Sequence, residues 1–233
     1  MIEDLDFETY LYISKDKFQI FVLNKKKLKN LYSQELKIDH QFDFKDLNIL
    51  LNFLDKNIYK IEKLIGNFIK NIILIVENEK NLKINMGIKK SYETSLKQKS
   101  FSSNLTELKD LFKKNYQDQT IMHMCIINYI IDGKRYSSFD SKLINHYFCI
   151  EVSFIVIDNK LVFAFDNVLE KYQIKIKQYM CGNYINNFIG DTGDEISIIA
   201  NKLRNGLNIN EITIVPKHKE NKGFFEKFFQ LFS

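Results

Sequence analysis

Proline occurs once in this 233-residue chain, at Pro216, and tryptophan not at all. Cysteine occurs three times, as Cys125, Cys149 and Cys181. Odd in number and widely spaced, these make no disulfide framework and read as reduced thiols of a cytosolic protein. No stretch reaches the roughly 20 apolar residues that a membrane-spanning helix needs. The opening Met-Ile-Glu-Asp-Leu-Asp is acidic, where a secretory signal is basic and then apolar. There is no internal repeat and no low-complexity segment. No Ser-His-Asp or Cys-His arrangement has motif support, and the chain is expected not to be an enzyme. His123 with Cys125, and His146 with Cys149, suggest metal only superficially. On strands the first pair shares a face, the second does not, and no C-x-x-C accompanies them. Packed core residues account for them. Asp191, Asp194 and Glu195 sit at a helix start, where capping and the helix dipole explain carboxylates.

What is present suits a folded domain. Hydrophobic residues make up 45% and aromatic residues 14%, enough to bury a core. The length allows one large domain or two small ones, at about 100–200 residues each. Net charge is +5, from 34 Lys+Arg against 29 Asp+Glu, and nearly all the cations are lysine. That is slight for nucleic acid and adequate for an anionic membrane surface. The run Lys25-Lys26-Lys27 with Lys29 reads as a solvated turn, or as an addition to membrane attraction.

Along the chain, Thr9–Ile13 and Phe18–Asn24 flank Ser14-Lys15-Asp16-Lys17 and predict a β-hairpin. Asn30–Ile38 adds a third strand. Asp43 has N-cap chemistry, Leu47 to Ile65 follow at helical spacing, and Gly66 closes the helix. Lys70–Val76 is a buried strand, and Leu82–Ile88 is expected to pair with it across Glu77–Asn81. Polar Lys89–Ser103 marks an internal boundary. Asn104 with Glu107 predicts a capping box for a short helix bearing Leu105, Leu108, Leu111 and Phe112. Thr120–Ile131 and Ile144–Ile157 are long strands, the first ending in the turn pair Asp132-Gly133. Asp158 caps a helix with Phe165, Val168 and Leu169 on one face, and Ile174–Met180 is a strand that closes an α+β unit from Ser103 onward. Thr192 with Glu195 predicts a second capping box, for a helix carrying Ile196, Ile199, Ala200 and Leu203 and ended by Gly206. Ile209–Val215 is a last extended run.

The chain then passes through a lysine-rich spacer after Pro216 into Lys222–Ser233. Phe224, Phe225, Phe228, Phe229, Leu231 and Phe232 fall on one helical face, with Lys222 and Lys227 beside them. Aromatics on one face with adjacent cations suit the plane of a membrane interface, and these eight residues are the candidate membrane site. The other reading is a helix docked on its own core or on a partner subunit. Six apolar groups half buried among headgroups yield several kcal/mol at roughly 25 cal/mol per Å². Lys217, Lys219, Lys222 and Lys227 add up to about 1 kcal/mol each. One such tail binds reversibly, and several on an oligomer bind firmly.

The stretch Ile121-Met-His-Met-Cys-Ile-Ile-Asn-Tyr-Ile-Ile-Asp-Gly133 resembles the start of the inserted 1C subdomain in the bacterial actin-like cell-division protein FtsA. His123, Tyr129, Ile131, Asp132 and Gly133 occupy matching positions. The Phe-rich tail after a polar linker is similar to that family's membrane-targeting helix. The resemblance implies an α+β chain: a partial actin-like (ribonuclease-H-like) 1A region over 5–90, a 1C-like insertion over 91–180, a 2A-type remnant helix over 181–215, and a linker with the amphipathic C-terminal helix over 216–233. It implies a cell-division adaptor, peripheral on the cytoplasmic side of the inner membrane, that meets itself or other division proteins through 91–180.

The departures from the family are equally specific. Its first phosphate loop is acidic-x-Gly-Thr; here the positions read Tyr12-Ile13-Ser14-Lys15. Phosphate loops use glycine because backbone N–H groups must approach the anion closely. The glycine-rich second loop is absent, and Gly190-Asp-Thr-Gly193 reads as a turn. No ATP and no other cofactor is expected. Subdomain 2B, where the family docks the FtsZ tail, is missing, and with it goes the basis for direct FtsZ binding. Two other readings stand beside this one. The first is a soluble nucleic-acid-binding domain with its terminal helix docked internally. The second is a degenerate nucleotide-binding enzyme.

Overall fold

The computed structural model describes residues 6–39, 42–44, 46–91, 98–137, 147–190 and 193–212. Its strands are β1 (Phe7–Ile13), β2 (Lys17–Asn24), β3 (Lys29–Lys37), β4 (Asn71–Val76), β5 (Leu82–Ser91), β6 (Gln119–Ile131), β7 (Lys134–Tyr136), β8 (Tyr147–Asp158) and β9 (Lys175–Cys181). Its helices are α1 (Asn48–Ile65), α2 (Gln98–Asn115), α3 (Asn159–Glu170), α4 (Gly182–Asn186) and α5 (Ile196–Arg204). Described residues up to Asn81 join Ile157–Asn205 in one compact unit, and Leu82–Val156 join those from Gly206 onward in a second.

The first unit is a mixed sheet of order β3-β2-β1-β4-β9. The expected hairpin is there, with Ile13 opposite Phe18 and Leu11 opposite Ile20, and β3 extends it antiparallel. β4 runs parallel to β1. Both faces are covered, so β1, β2 and β4 read as near-continuous apolar runs. Tyr10, Tyr12, Phe21, Leu23, Ile73 and Ile75 pack on Ile196, Ile199, Ala200 and Leu203 of α5. Leu11, Ile13, Phe18 and Ile20 alternate onto the other face, where the Phe18 ring lies 6.0 Å from Phe53 of α1. α1 buries Leu50, Phe53, Leu54, Ile58 and Ile61, and Gly66 ends it in the left-handed region, its N–H donating to the Glu62 carbonyl. Its start differs from expectation. Asp43 closes a turn through its carbonyl to Asp46 N–H, and the helix begins after Leu47, with Asp46 Oδ1 accepting from Asn48 N–H.

The second unit is a sheet of order β5-β8-β6-β7. α2 lays Leu105, Leu108 and Phe112 against Met124, Ile150, Val152 and Phe154. Two local expectations give way here. β5 does not form a hairpin with β4; it pairs antiparallel with β8, from Leu82 opposite Val156 to Ser91 opposite Tyr147. And α2 begins at Gln98, so Asn104 is buried inside the helix rather than capping it, while Glu107 pairs with Lys90. A long helix that buries one apolar face tolerates the polar sequence of its outer face. Asp132 and Gly133, with φ 47° and 84°, turn β6 into β7 as expected. Asn210–Ile212 extends along β6: Ile126 N–H donates to Asn210 O, and Ile212 N–H to Met124 O. Residues 213–215 of that run lie outside the described residues.

Asp158 caps α3 as expected, accepting from Lys160 N–H at 2.7 Å. β9 then pairs parallel with β4, so α3 and β9 belong to the first sheet and do not close the second unit. A parallel pair needs a long crossover, and here the crossover from β4 to β9 contains the whole run Leu82–Val156. α5 is likewise a helix of the first unit. Glu195 precedes it without capping it through its side chain, and its carboxylate accepts from Asn30 instead. The partner expected in that capping box, Thr192, lies outside the described residues. No helix among the described residues is long and apolar enough to cross a membrane.

Candidate functional site

In a sheet with parallel strands, ligands sit beyond the carboxyl ends of those strands. At that end of the first unit, β1 leads into Ser14–Lys17 and β4 into Glu77. A recess of about 370 Å³ opens there, lined among others by Tyr12, Asp16, Lys17, Glu77, Asn186 and Glu195.

The turn that leaves β1 is knit to itself. Ser14 N–H donates to Lys17 O, Lys17 N–H donates to Ser14 Oγ, and Ser14 Oγ–H reaches Asp16 Oδ1. Its carbonyls are taken as well: Asp16 O accepts from Ile38 N–H and Lys15 O from Phe42 N–H. A phosphate cradle needs outward-facing N–H groups, and those of Ser14 and Lys17 are spent inside the turn. Lys15 pairs with Glu79 at 2.9 Å. Lys17 lies 3.8 Å from Glu35 and over the Tyr12 ring.

Glu77 is the fixed point of the recess. Its Oε2 accepts from Tyr12 O–H at 2.7 Å and from Asn186 Nδ2 at 2.6 Å. The chain at Gly182 presses against it: a Cβ there would lie 2.7 Å from Glu77 Cβ, so only glycine allows β9 to pass into α4 at this distance. Burial, then the hydrogen bond to Glu77, push the Tyr12 hydroxyl well above the ordinary tyrosine range. The raised hydroxyl keeps its proton and donates it to Glu77. Asp16, Glu77 and Glu195 place three carboxylates on the recess against the single ammonium of Lys17.

Sequence reasoning had singled out other residues. Lys222, Phe224, Phe225, Lys227, Phe228, Phe229, Leu231 and Phe232 all lie outside the described residues, as do His146, Asp191 and Thr192. Gly190 and Gly193 have φ 45° and 64° with open space around them, which suits a turn. His123 is buried, with Nδ1 2.6 Å from Glu211 Oε1; Cys125, Cys149 and Cys181 form no disulfide among the described residues. Among the described residues no cluster of His, Cys, Asp or Glu is arranged to hold a metal ion. The Tyr12–Glu77–Asn186 arrangement had no sequence signal beyond a carboxylate directly after a buried strand.

No protein-family model matches the chain, and no curated protein matches it in sequence. Solved structures are similar to it. The PilM–PilN type IV pilus biogenesis complex matches with a TM-score of 0.50 at 6% identity, over 78% of this chain and 49% of that one. The cytoplasmic domain of EpsL, an inner-membrane component of the type II secretion system of Vibrio cholerae, matches with a TM-score of 0.33 at 9% identity, over 76% and 56%. A Bacteroides thetaiotaomicron protein with an actin-like ATPase fold and unknown function matches with a TM-score of 0.29 at 15% identity, over 81% and 58%. The chain thus spans 49% to 58% of the length of these proteins. At 6% identity the likeness to the PilM–PilN structure is one of fold alone.

Proposed function

We propose that this chain is a nucleotide-free actin-like scaffold, an adaptor of the FtsA kind that serves cell division from the cytoplasmic face of the inner membrane. The observation that carries the reading is the turn Ser14–Lys17. It stands where the fold family grips a phosphate, and it is closed on its own hydrogen bonds beside three carboxylates. An actin-like body without a phosphate cradle keeps its surfaces for other proteins. The insertion Leu82–Val156 is the surface for division proteins or for a second copy of the chain. The PilM–PilN structure is a complex in which a protein of this fold is assembled with another, which supports a scaffold role.

The helical pattern of Lys222–Ser233 supplies the tether. Five phenylalanines recur on one face of that segment, and a reversible tether of this kind acts cooperatively when the scaffold self-associates.

The nucleotide half of the reading is tested by thermal unfolding. A ligand that binds only the folded state at 100 times its Kd stabilises by about 2.7 kcal/mol. With millimolar Mg-ATP the melting temperature is expected to stay within about 1 °C of its value without nucleotide. A rise of several degrees, saturating with ATP, returns the chain to the nucleotide-binding class.

A further inference from the structure

The opposite end of the first sheet, where β1, β4 and β9 begin, carries a different surface. Phe68, just before β4, is 78% exposed. Leu28, in the turn from β2 to β3, is 40% exposed and has φ 47°. A branched side chain in the left-handed region is strained, and here the strain holds an apolar group outward at a turn tip. Singly exposed apolar residues are ordinary; these two lie at one end of the sheet, among lysines.

Lys26 and Lys27 precede Leu28, and Lys70 follows Phe68. Lys171 and Lys175 lie at the same end, after α3 and at the start of β9. All five are exposed, and among the described residues no carboxylate pairs with any of them. Lys171 answers the dipole of α3. Among the described residues no ion pair involves Lys26, Lys27 or Lys70. Beside Phe68, a recess of about 330 Å³ is walled by Phe7, Glu8, Lys25, Lys70 and Lys177 among others. Asp6 holds Lys25 at 2.6 Å and Glu8 lies 3.4 Å from Lys177, leaving the Lys70 ammonium to meet an anion.

Apolar tips beside cations that no carboxylate among the described residues pairs match a surface with phosphates outside and hydrocarbon beneath. We propose that this end of the first unit is a second membrane contact, in which Phe68 and Leu28 enter the headgroup layer of an anionic bilayer and Lys26, Lys27 and Lys70 meet lipid phosphates. It rests on the membrane reading above but is independent of the Lys222–Ser233 helix. Charge complementarity selects an anionic leaflet, since each lysine near such a surface contributes about a fivefold factor in affinity.

Flotation of the full chain with phosphatidylglycerol-containing vesicles, phosphatidylcholine vesicles or a single-stranded oligonucleotide tests this. The triple variant Lys26→Glu/Lys27→Glu/Lys70→Glu is expected to lose at least tenfold in affinity for the anionic vesicles, and Phe68→Ser a few-fold. Both are expected to melt as the parent does, because the side chains are exposed. A full-chain variant with Phe224, Phe225, Phe228 and Phe229 changed to serine is expected to keep weak, phosphatidylglycerol-dependent binding. Complete loss of binding in that variant, or parental binding by the triple variant, overturns the second contact and leaves the tether intact. A parent chain that ignores all vesicles overturns both readings, and oligonucleotide binding with no vesicle binding assigns the lysines to nucleic acid.

Discussion

Replacing Arg204 by alanine lowers the stability of the first unit by about 3 kcal/mol, the scale for stranding one member of a largely buried ion pair. Arg204 leaves the last turn of α5 and donates Nη1–H to Glu8 Oε2 and to the Tyr10 hydroxyl, and Nε–H to Gln178 Oε1. Asn201, one turn earlier, donates to the same carboxylate and to the same hydroxyl. The side chains of Glu8 and Arg204 are 12% and 15% exposed, so solvent cannot replace the guanidinium. Burial alone would raise the Glu8 carboxyl, but the charge and hydrogen bond of Arg204 outweigh it and hold the group below the usual carboxylate range. A carboxyl lowered in the folded state adds stability above its unfolded pKa and loses it as pH falls through the folded value. The contribution is therefore complete at neutral pH and declines below about pH 4.5. Denaturant melts at pH 7 and pH 4 check both statements. The paired change Glu8→Gln/Arg204→Met is expected to cost less than Arg204→Ala, because it strands no charge. A cost under 1 kcal/mol for the single change would show that α5 is held by Ile199, Ala200 and Leu203 alone.

Phe112→Ala is the second large effect, at about 3–5 kcal/mol for the Leu82–Val156 unit. The Phe112 side chain is fully buried. Its ring stacks on Phe154 at 4.6 Å and on Tyr116 at 5.0 Å. It is therefore the point where α2 joins the sheet, and its loss leaves a cavity between two flat faces that cannot close on it. Phe112→Leu is expected to retain more than half of the lost stability. Hydrogen exchange reads the effect locally: β8 amides lose protection, while those of β1 and β4 keep it, if the two compact units unfold separately.

The first sheet was legible wherever its determinants are local. The hairpin Thr9–Asn24, the helix closed by Gly66, and the Asp158 cap each rest on residues within one or two turns of each other. The errors lie where the partner is remote. β5 follows β4 directly in sequence, which suggests a hairpin, yet its partner β8 arrives more than fifty residues later. β9 was given to the insertion for the same reason, while its apolar face matches the edge that β4 leaves open. The polar run Lys89–Ser103 hid the start of α2, since an outer helical face and a loop share a composition. At the recess, Tyr12 lies on β1 and Glu77 directly follows β4, and they meet through the parallel pairing of those strands.

Vesicle flotation with Mg-ATP present or absent tests the central claim most directly. The full chain is expected to float with anionic vesicles equally in both conditions. The variant with Phe224, Phe225, Phe228 and Phe229 changed to serine is expected to fall at least tenfold in affinity. Flotation that depends on ATP, or a serine variant that floats like the parent, would contradict a nucleotide-free scaffold tethered through Lys222–Ser233.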